Sequence, residues 1–273
     1  MDFIGLFFVK TFLQLLLQST RYCAIILYRT LFEGDNMIKV TVWSEFYHER
    51  HNEEIKKIYP QGLHKTIADF LKCDDITVRT ATLQDAECGL TQEILDDTDV
   101  LIWWGHVRHR EVPDEIAERV QTAVLGGMGA IFLHSAHHSK PFKRLIGTTG
   151  NLSWREDGDW EKLWNIAPAH PITQGIGRFI ELEHEEVYCE PFDIPNPDQL
   201  IFISNYEGGE VFRSGCCYNR GCGKIFYFKP GHESYPIYYN KEIQTVIKNA
   251  VYWAKPIKRI TPECPHIKKI GEE

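Results

Sequence analysis

Four histidines stand at the ends of hydrophobic runs: His48 in "WSEFYHE", His106 in "LIWWGH", His134 in "AIFLHSA" and His232 in "IFYFKPGHE". Imidazole is the commonest neutral metal ligand and the side chain best placed to move a proton near neutral pH. A single histidine in such a place is ordinarily a hydrogen-bonded loop or core residue. The same residue type after four separate runs points to a shared site. His48, His106, His134 and His232 are therefore the candidate ligands of a divalent metal, with zinc first because imidazole and carboxylate donors suit it. His106, His134 and Glu186 are the candidate acid and base groups. Glu186 belongs to the acidic run "ELEHEEVYCE" (181–190). An extended backbone there sets Glu186 and Tyr188 on one face, and the rest of the run reads as solvated. Glu45 is a second candidate carboxylate.

Other chemistry-bearing residues are less well placed. His109, three residues after His106, and His64, His137 and His138 are each open to a pocket-facing or a solvent-facing reading. Ser135 lacks the GxSxG elbow of a serine hydrolase. The cysteines are scattered without a CxxC pair, which suits a reducing, cytoplasmic setting. Cys216, Cys217 and Cys222 are close in sequence, but neighbours on a strand point to opposite faces, which argues against a soft-metal site.

The elements around the histidines alternate. Strands are expected over 38–43, 76–83, 99–104 and 129–136, with Leu63, Ile67, Phe70 and Leu71 at helical spacing between the first two. "VPDEIAERVQTAVLGG" carries Pro113 and two acidic residues at its start and paired glycines at its stop, the signals of a helix. "SKPFKRLIG" is a shorter helix. Continuous apolar strands between amphipathic helices imply a doubly wound α/β sheet, mostly parallel, with helices on both faces. Ligands of such sheets bind beyond the carboxyl ends of the strands, where all four histidines fall. Residues 148–198 lack periodicity and read as an insertion over one end of the sheet. Strands follow at 200–206, 209–214 and 224–229, and a helix at 241–255 closes the domain.

A chain of 273 residues, 43% hydrophobic and 12% aromatic, can bury one large core. The formal charge of -8, without a long basic run, gives no electrostatic footprint for nucleic acid or an anionic membrane. A small-molecule ligand is the better expectation. Residues 1–36 are apolar but interrupted by Lys10, Gln14, Gln18 and Arg21, so no clean membrane span forms. They read as an interfacial anchor, a helical extension, or a segment upstream of a native start at Met37; the last is favoured because "MIKVTVW" opens directly on a strand. The division expected is extension 1–36, domain 37–256 and tail 257–273.

The motifs "GMGAIFLHSAHHS", "HPITQGI", "EEVYCE", "GKIFYFKPGHE" and "DVLIWWGHVRH", in that family's order, resemble those of the ThuA-like, or trehalose utilisation, family from about Met37 to Pro256. The resemblance implies a flavodoxin-like fold of the class I glutamine amidotransferase-like superfamily. Where that superfamily carries a nucleophilic cysteine, this chain has His134 and Ser135, so amidotransferase chemistry is not expected. The resemblance further implies a carbohydrate ligand, trehalose-like or an oxidised (keto) disaccharide. Two readings follow: metal-assisted isomerisation, elimination or hydrolysis of a keto sugar, or a non-catalytic sugar-binding or regulatory protein. A homo-oligomer is compatible with either. Trp103, Trp104, Tyr47, Trp154 and Tyr235 are aromatic candidates for stacking on a sugar, against a core role for the paired tryptophans.

Overall fold

The computed structural model describes residues 37–261 and 263–271; the extension 1–36 lies outside them. Eleven strands follow in chain order: β1 (Ile38–Ser44), β2 (Ile76–Thr82), β3 (Val100–Trp104), β4 (Gly129–Leu133), β5 (Ser153–Arg155), β6 (Glu161–Asn165), β7 (Phe179–Leu182), β8 (Val187–Cys189), β9 (Gln199–Tyr206), β10 (Val211–Arg220) and β11 (Gly223–Phe228). Nine form one sheet in the order β2-β1-β3-β4-β11-β10-β9-β6-β7. The first five are mutually parallel. Their order is that of a flavodoxin-like sheet, in which crossover helices cover both faces. The remaining four continue the sheet antiparallel.

β3 and β4 are buried along their whole length, as their unbroken apolar runs require. Alternation then divides the core. Val100, Ile102 and Trp104 pack with the helices Leu63–Leu71 and Lys241–Ala254, whereas Leu101 and Trp103 pack with Asp114–Leu125 and Lys140–Ile146. Side-chain caps open two of the helices: Asn240 accepts from the amides of Glu242 and Ile243, and Ser139 from that of Phe142.

Three expectations need correction. The fourth strand stops at Leu133 rather than at 136, because His134 adopts φ 53° and the chain turns into a short 3-10 segment, His134–His138. β10 runs on to Arg220, placing Cys216 and Cys217 in opposite cores while Cys222 is exposed in the turn. Residues 148–198 are more than a covering insertion: β6 and β7 extend the main sheet, and β5 pairs with β8 as a separate two-stranded ribbon. Beyond the last helix, Ile260 donates its amide to the Gly126 carbonyl at 2.8 Å, so the start of the tail is packed. No helix among the described residues is long and apolar enough to cross a membrane.

Candidate functional site

The carboxyl ends of four adjacent parallel strands, β1, β3, β4 and β11, deliver His48, His106, His134 and His232 to one edge of the sheet. Buried carboxylates pin two of these loops through their backbone. Glu45 accepts the amides of Val107 and Arg108 at 2.8 and 2.9 Å, fixing the turn that carries His106. Glu185 accepts those of Gly231 and His232 at 2.7 and 3.2 Å, fixing the turn after β11. The indole of Trp104 donates to the Gly231 carbonyl at 3.0 Å and ties the two turns together. Behind them, the fully buried Lys229 ammonium donates to Glu161 at 3.0 Å and to the carbonyl of Glu186. That pairing supplies the counter-charge that buried Glu161 needs, with the Glu185 carboxylate 4.0 Å from the same nitrogen.

Three of the imidazoles converge. Ring centroids of His106, His134 and His232 stand 5.1–5.4 Å apart. With Glu186 they form a set whose donor atoms all lie within 4.8 Å of one another. His48 belongs instead to a second set with His106 and Glu233. His106 is common to both.

Hydrogen bonding sets which nitrogen each ring offers. His134 Nδ1 lies 3.1 Å from the Lys229 carbonyl, which can only accept, so Nδ1 carries the proton and Nε2 presents its lone pair. Nε2 faces Glu186 Oε2 at 3.2 Å. Burial, with the nearby His232, His106 and Lys229 charges, holds this imidazole neutral, well below its ordinary range. Glu186 is nearly buried, and its Oε2 has no hydrogen-bond partner among the described residues. Burial raises its pKa. Two acceptors thus face each other, with the Tyr188 hydroxyl 3.4 Å from His134 Nε2, and a proton or a cation between them would satisfy both.

His106 donates Nδ1–H to both oxygens of Glu233 at 2.9 Å, leaving Nε2 for the cavity. Burial opposes a charge on this ring, but the bond to Glu233 and the Glu186 and Glu45 carboxylates outweigh it and push its pKa up to about 9, so a cation bound at Nε2 would take the place of a proton there. Glu233 is itself buried; burial alone would raise its carboxyl, yet His106, His232 and His48 hold it well below the usual range. His48 Nε2 approaches Glu233 at 3.2 Å, and burial lowers the pKa of this ring despite that neighbour. His232 differs from the other two, because its Nδ1 accepts the Ser234 amide at 3.2 Å and the neutral ring therefore bears its proton on Nε2.

A cavity of about 450 Å³ reaches His106 and Glu186 of the set, lined also by Ser135 and Tyr188 at its inner end and by Trp154 and Glu156 at its mouth. Ser135 Oγ shares a 2.5 Å hydrogen bond with Tyr188 and has no histidine partner. His137 and His138 line the same cavity, though His137 Nδ1 is engaged by the Gly150 carbonyl at 2.7 Å. His64 packs away from both donor sets, against Ser44 Oγ at 3.0 Å. His109 stacks edge-on to His138, outside both sets. Gly105 makes room for it, since a Cβ there would sit 3.3 Å from the His109 ring. Trp103 and Trp104 are core residues and Tyr47 lies under the Arg108 guanidinium, whereas Trp154 is 65% exposed. Glu233, Glu185 and Lys229 were not among the candidates from sequence, although Glu233 directly follows His232 in "KPGHE".

Residues 39–254 match the family described as trehalose utilisation, ThuA. A ThuA-like protein of Bacteroides uniformis superposes with a TM-score of 0.60 at 13% identity, over 80% of this chain and 91% of that one. A second, from Parabacteroides merdae, superposes with a TM-score of 0.56 at 15% identity, over 82% and 92%. No curated protein matches the sequence significantly. Identities this low carry the fold alone.

Proposed function

Because the chain belongs to the ThuA, trehalose utilisation, family, we propose that it acts on a trehalose-like or oxidised (keto) disaccharide in the cavity above His106, and that His106, His134 and Glu186 hold a divalent cation there. The observation that carries this reading is the opposed pair of lone pairs on His134 and Glu186, 3.2 Å apart and buried. Two donors bound tetrahedrally at about 2.0–2.1 Å stand about 3.3–3.4 Å apart, so a cation suits this spacing. Two imidazoles and one carboxylate leave a coordination position open, as catalytic sites do, and zinc is the first candidate on donor type. Such an ion supplies a Lewis acid for a sugar oxygen.

The chain's own groups do the rest. Glu233 and His48 orient His106 from behind, the outer arrangement that fixes a ligating histidine. His232 holds its Nε2–H 3.6 Å from Glu156, which lines the cavity, and from there serves as proton donor to an oxygen of the bound sugar. This arrangement suits proton transfer next to a keto group, as in isomerisation or elimination, or protonation of a departing glycosidic oxygen in hydrolysis. Residues 37–256 form the working domain in this reading, with 1–36 an extension to it. The described cysteines are all free thiols, which supports a reducing, cytoplasmic setting.

Metal analysis of the purified protein tests the cation. Stoichiometric metal that is lost in His106→Ala and His134→Ala, but retained in His232→Ala, is the expected result. Metal-free protein whose ligand binding is unaltered in all three variants overturns it. Incubation with keto-disaccharides then separates turnover from binding: consumption by the wild type, abolished in His232→Ala, supports an enzyme, and no consumption with any divalent metal favours the sugar-binding alternative.

A further inference from the structure

The β5–β8 ribbon builds a second wall for the cavity. Trp154 on β5 pairs with Tyr188 on β8 in antiparallel register, so the two side chains share a face. Two residues along in each direction, Glu156 and Glu186 fall on that same face. Trp154, Glu156, Glu186 and Tyr188 all line the cavity, Tyr188 buried at its inner end and Trp154 largely exposed at its mouth. The platform is braced from the opposite face. Arg155 reaches the carboxylates of Asp159 at 2.6 Å and Glu210 at 3.0 Å, with Asp157 beside them.

Trp154 lines the cavity while its strand is anchored from behind, so its indole offers a fixed flat face to a ligand there. Its flat face matches a ligand with one broad apolar side. Its neighbours on the wall are acceptors: Glu156 lies 3.6 Å from His232 Nε2, and Glu186 lies deeper. Carboxylates accept hydrogen bonds from vicinal hydroxyls and repel anionic groups. A neutral saccharide ring, with C–H groups on one face and hydroxyls around its rim, answers both demands. The cavity lies in the range that encloses a small organic ligand, and it extends from the donor set to Trp154.

We propose that Trp154 forms an outer subsite for the second ring of an unphosphorylated disaccharide, whose first ring lies at His106, His134 and Glu186. This rests on the disaccharide reading above and adds to it which side chains take the second ring and that this ring carries no phosphate. The first ring meets the donors, and the second is recognised by stacking on the indole and by hydroxyl contacts to Glu156. Trp154 thereby sets the preference for a disaccharide over a monosaccharide.

Calorimetry on the full-length, metal-loaded protein with trehalose, a keto-disaccharide, glucose and trehalose phosphate tests this. Trehalose is expected to bind more tightly than glucose or the phosphate. Trp154→Ala weakens trehalose binding about tenfold and leaves glucose unchanged, and Trp154→Phe recovers most of the loss. An equal effect of Trp154→Ala on both sugars, no effect on either, or tighter binding of the phosphate overturns the subsite. Wild-type protein that binds none of trehalose, a keto-disaccharide and glucose overturns the carbohydrate reading and the subsite together. Metal content, measured on the same samples, judges the donor set independently of that result.

Discussion

Glu233 shows how one side chain can govern several others. Surrounded by His106, His48 and His232, it accepts the Nδ1–H hydrogen bond of His106 and so decides which nitrogen that ring turns to the cavity. Replacing it with glutamine keeps the shape and removes the charge. Glu233→Gln is expected to weaken cation binding by about 10–100-fold without unfolding the protein, as measured by Co²⁺ titration of the visible absorption band. The histidines were legible in the sequence because each ends an apolar run, and run ends in parallel sheets share an edge. Glu233 was not legible, because its role depends on meeting His106, which lies 127 positions away in the chain. His48 was legible as a member of the edge but not as a partner of Glu233. The proton on His232 Nε2 depends on a single backbone amide, that of Ser234, and no residue type announces it.

At the level of elements, the parallel strands and the helices Leu63–Leu71, Asp114–Leu125 and Lys241–Ala254 could be read from period, and the second helix also from its flanking proline, acids and glycines, since long buried runs and amphipathic faces leave a strong trace. β5 to β8 could not. They are three to five residues long, too short for alternation to stand out. The end of β4 was misplaced because His134 leaves the strand through a positive φ that favours glycine, a conformation residue type alone would not suggest. Gly129 opens the same strand against the last helix. A Cβ there would lie 2.4 Å from the Ala254 carbonyl oxygen, with the rest of that peptide behind it. Gly129→Ala is expected to destabilise the fold by about 1–3 kcal/mol in urea denaturation, because backbone must shift to admit the methyl.

Across the whole molecule, buried neutral histidines link stability to pH. Burial, with a smaller contribution from Lys65, lowers the His64 pKa from 6.5 to about 4. Between those values the unfolded chain binds a proton that the folded protein refuses, so stability falls as pH falls through this window. Above pH 6.5 the group has no effect. Each unit below it costs about 1.4 kcal/mol until the folded value is reached. Glu186 shifts upward and acts in the opposite sense, so the total slope mixes signs. Comparison with His64→Asn isolates the one group. From pH 6.5 to 4, the urea midpoint of the wild type is expected to fall faster than that of the variant, and parallel curves would rule out a neutral, buried His64.

β5 is hydrogen-bonded as a strand to β8 alone, outside the nine-stranded sheet whose edge carries the histidines. Most of the reactive floor and the outer recognition wall therefore belong to different ladders. Substitutions on β5 can change what the protein accepts while the imidazoles keep their places, which makes this short ribbon the part of the molecule where specificity can diverge at least expense to the chemistry.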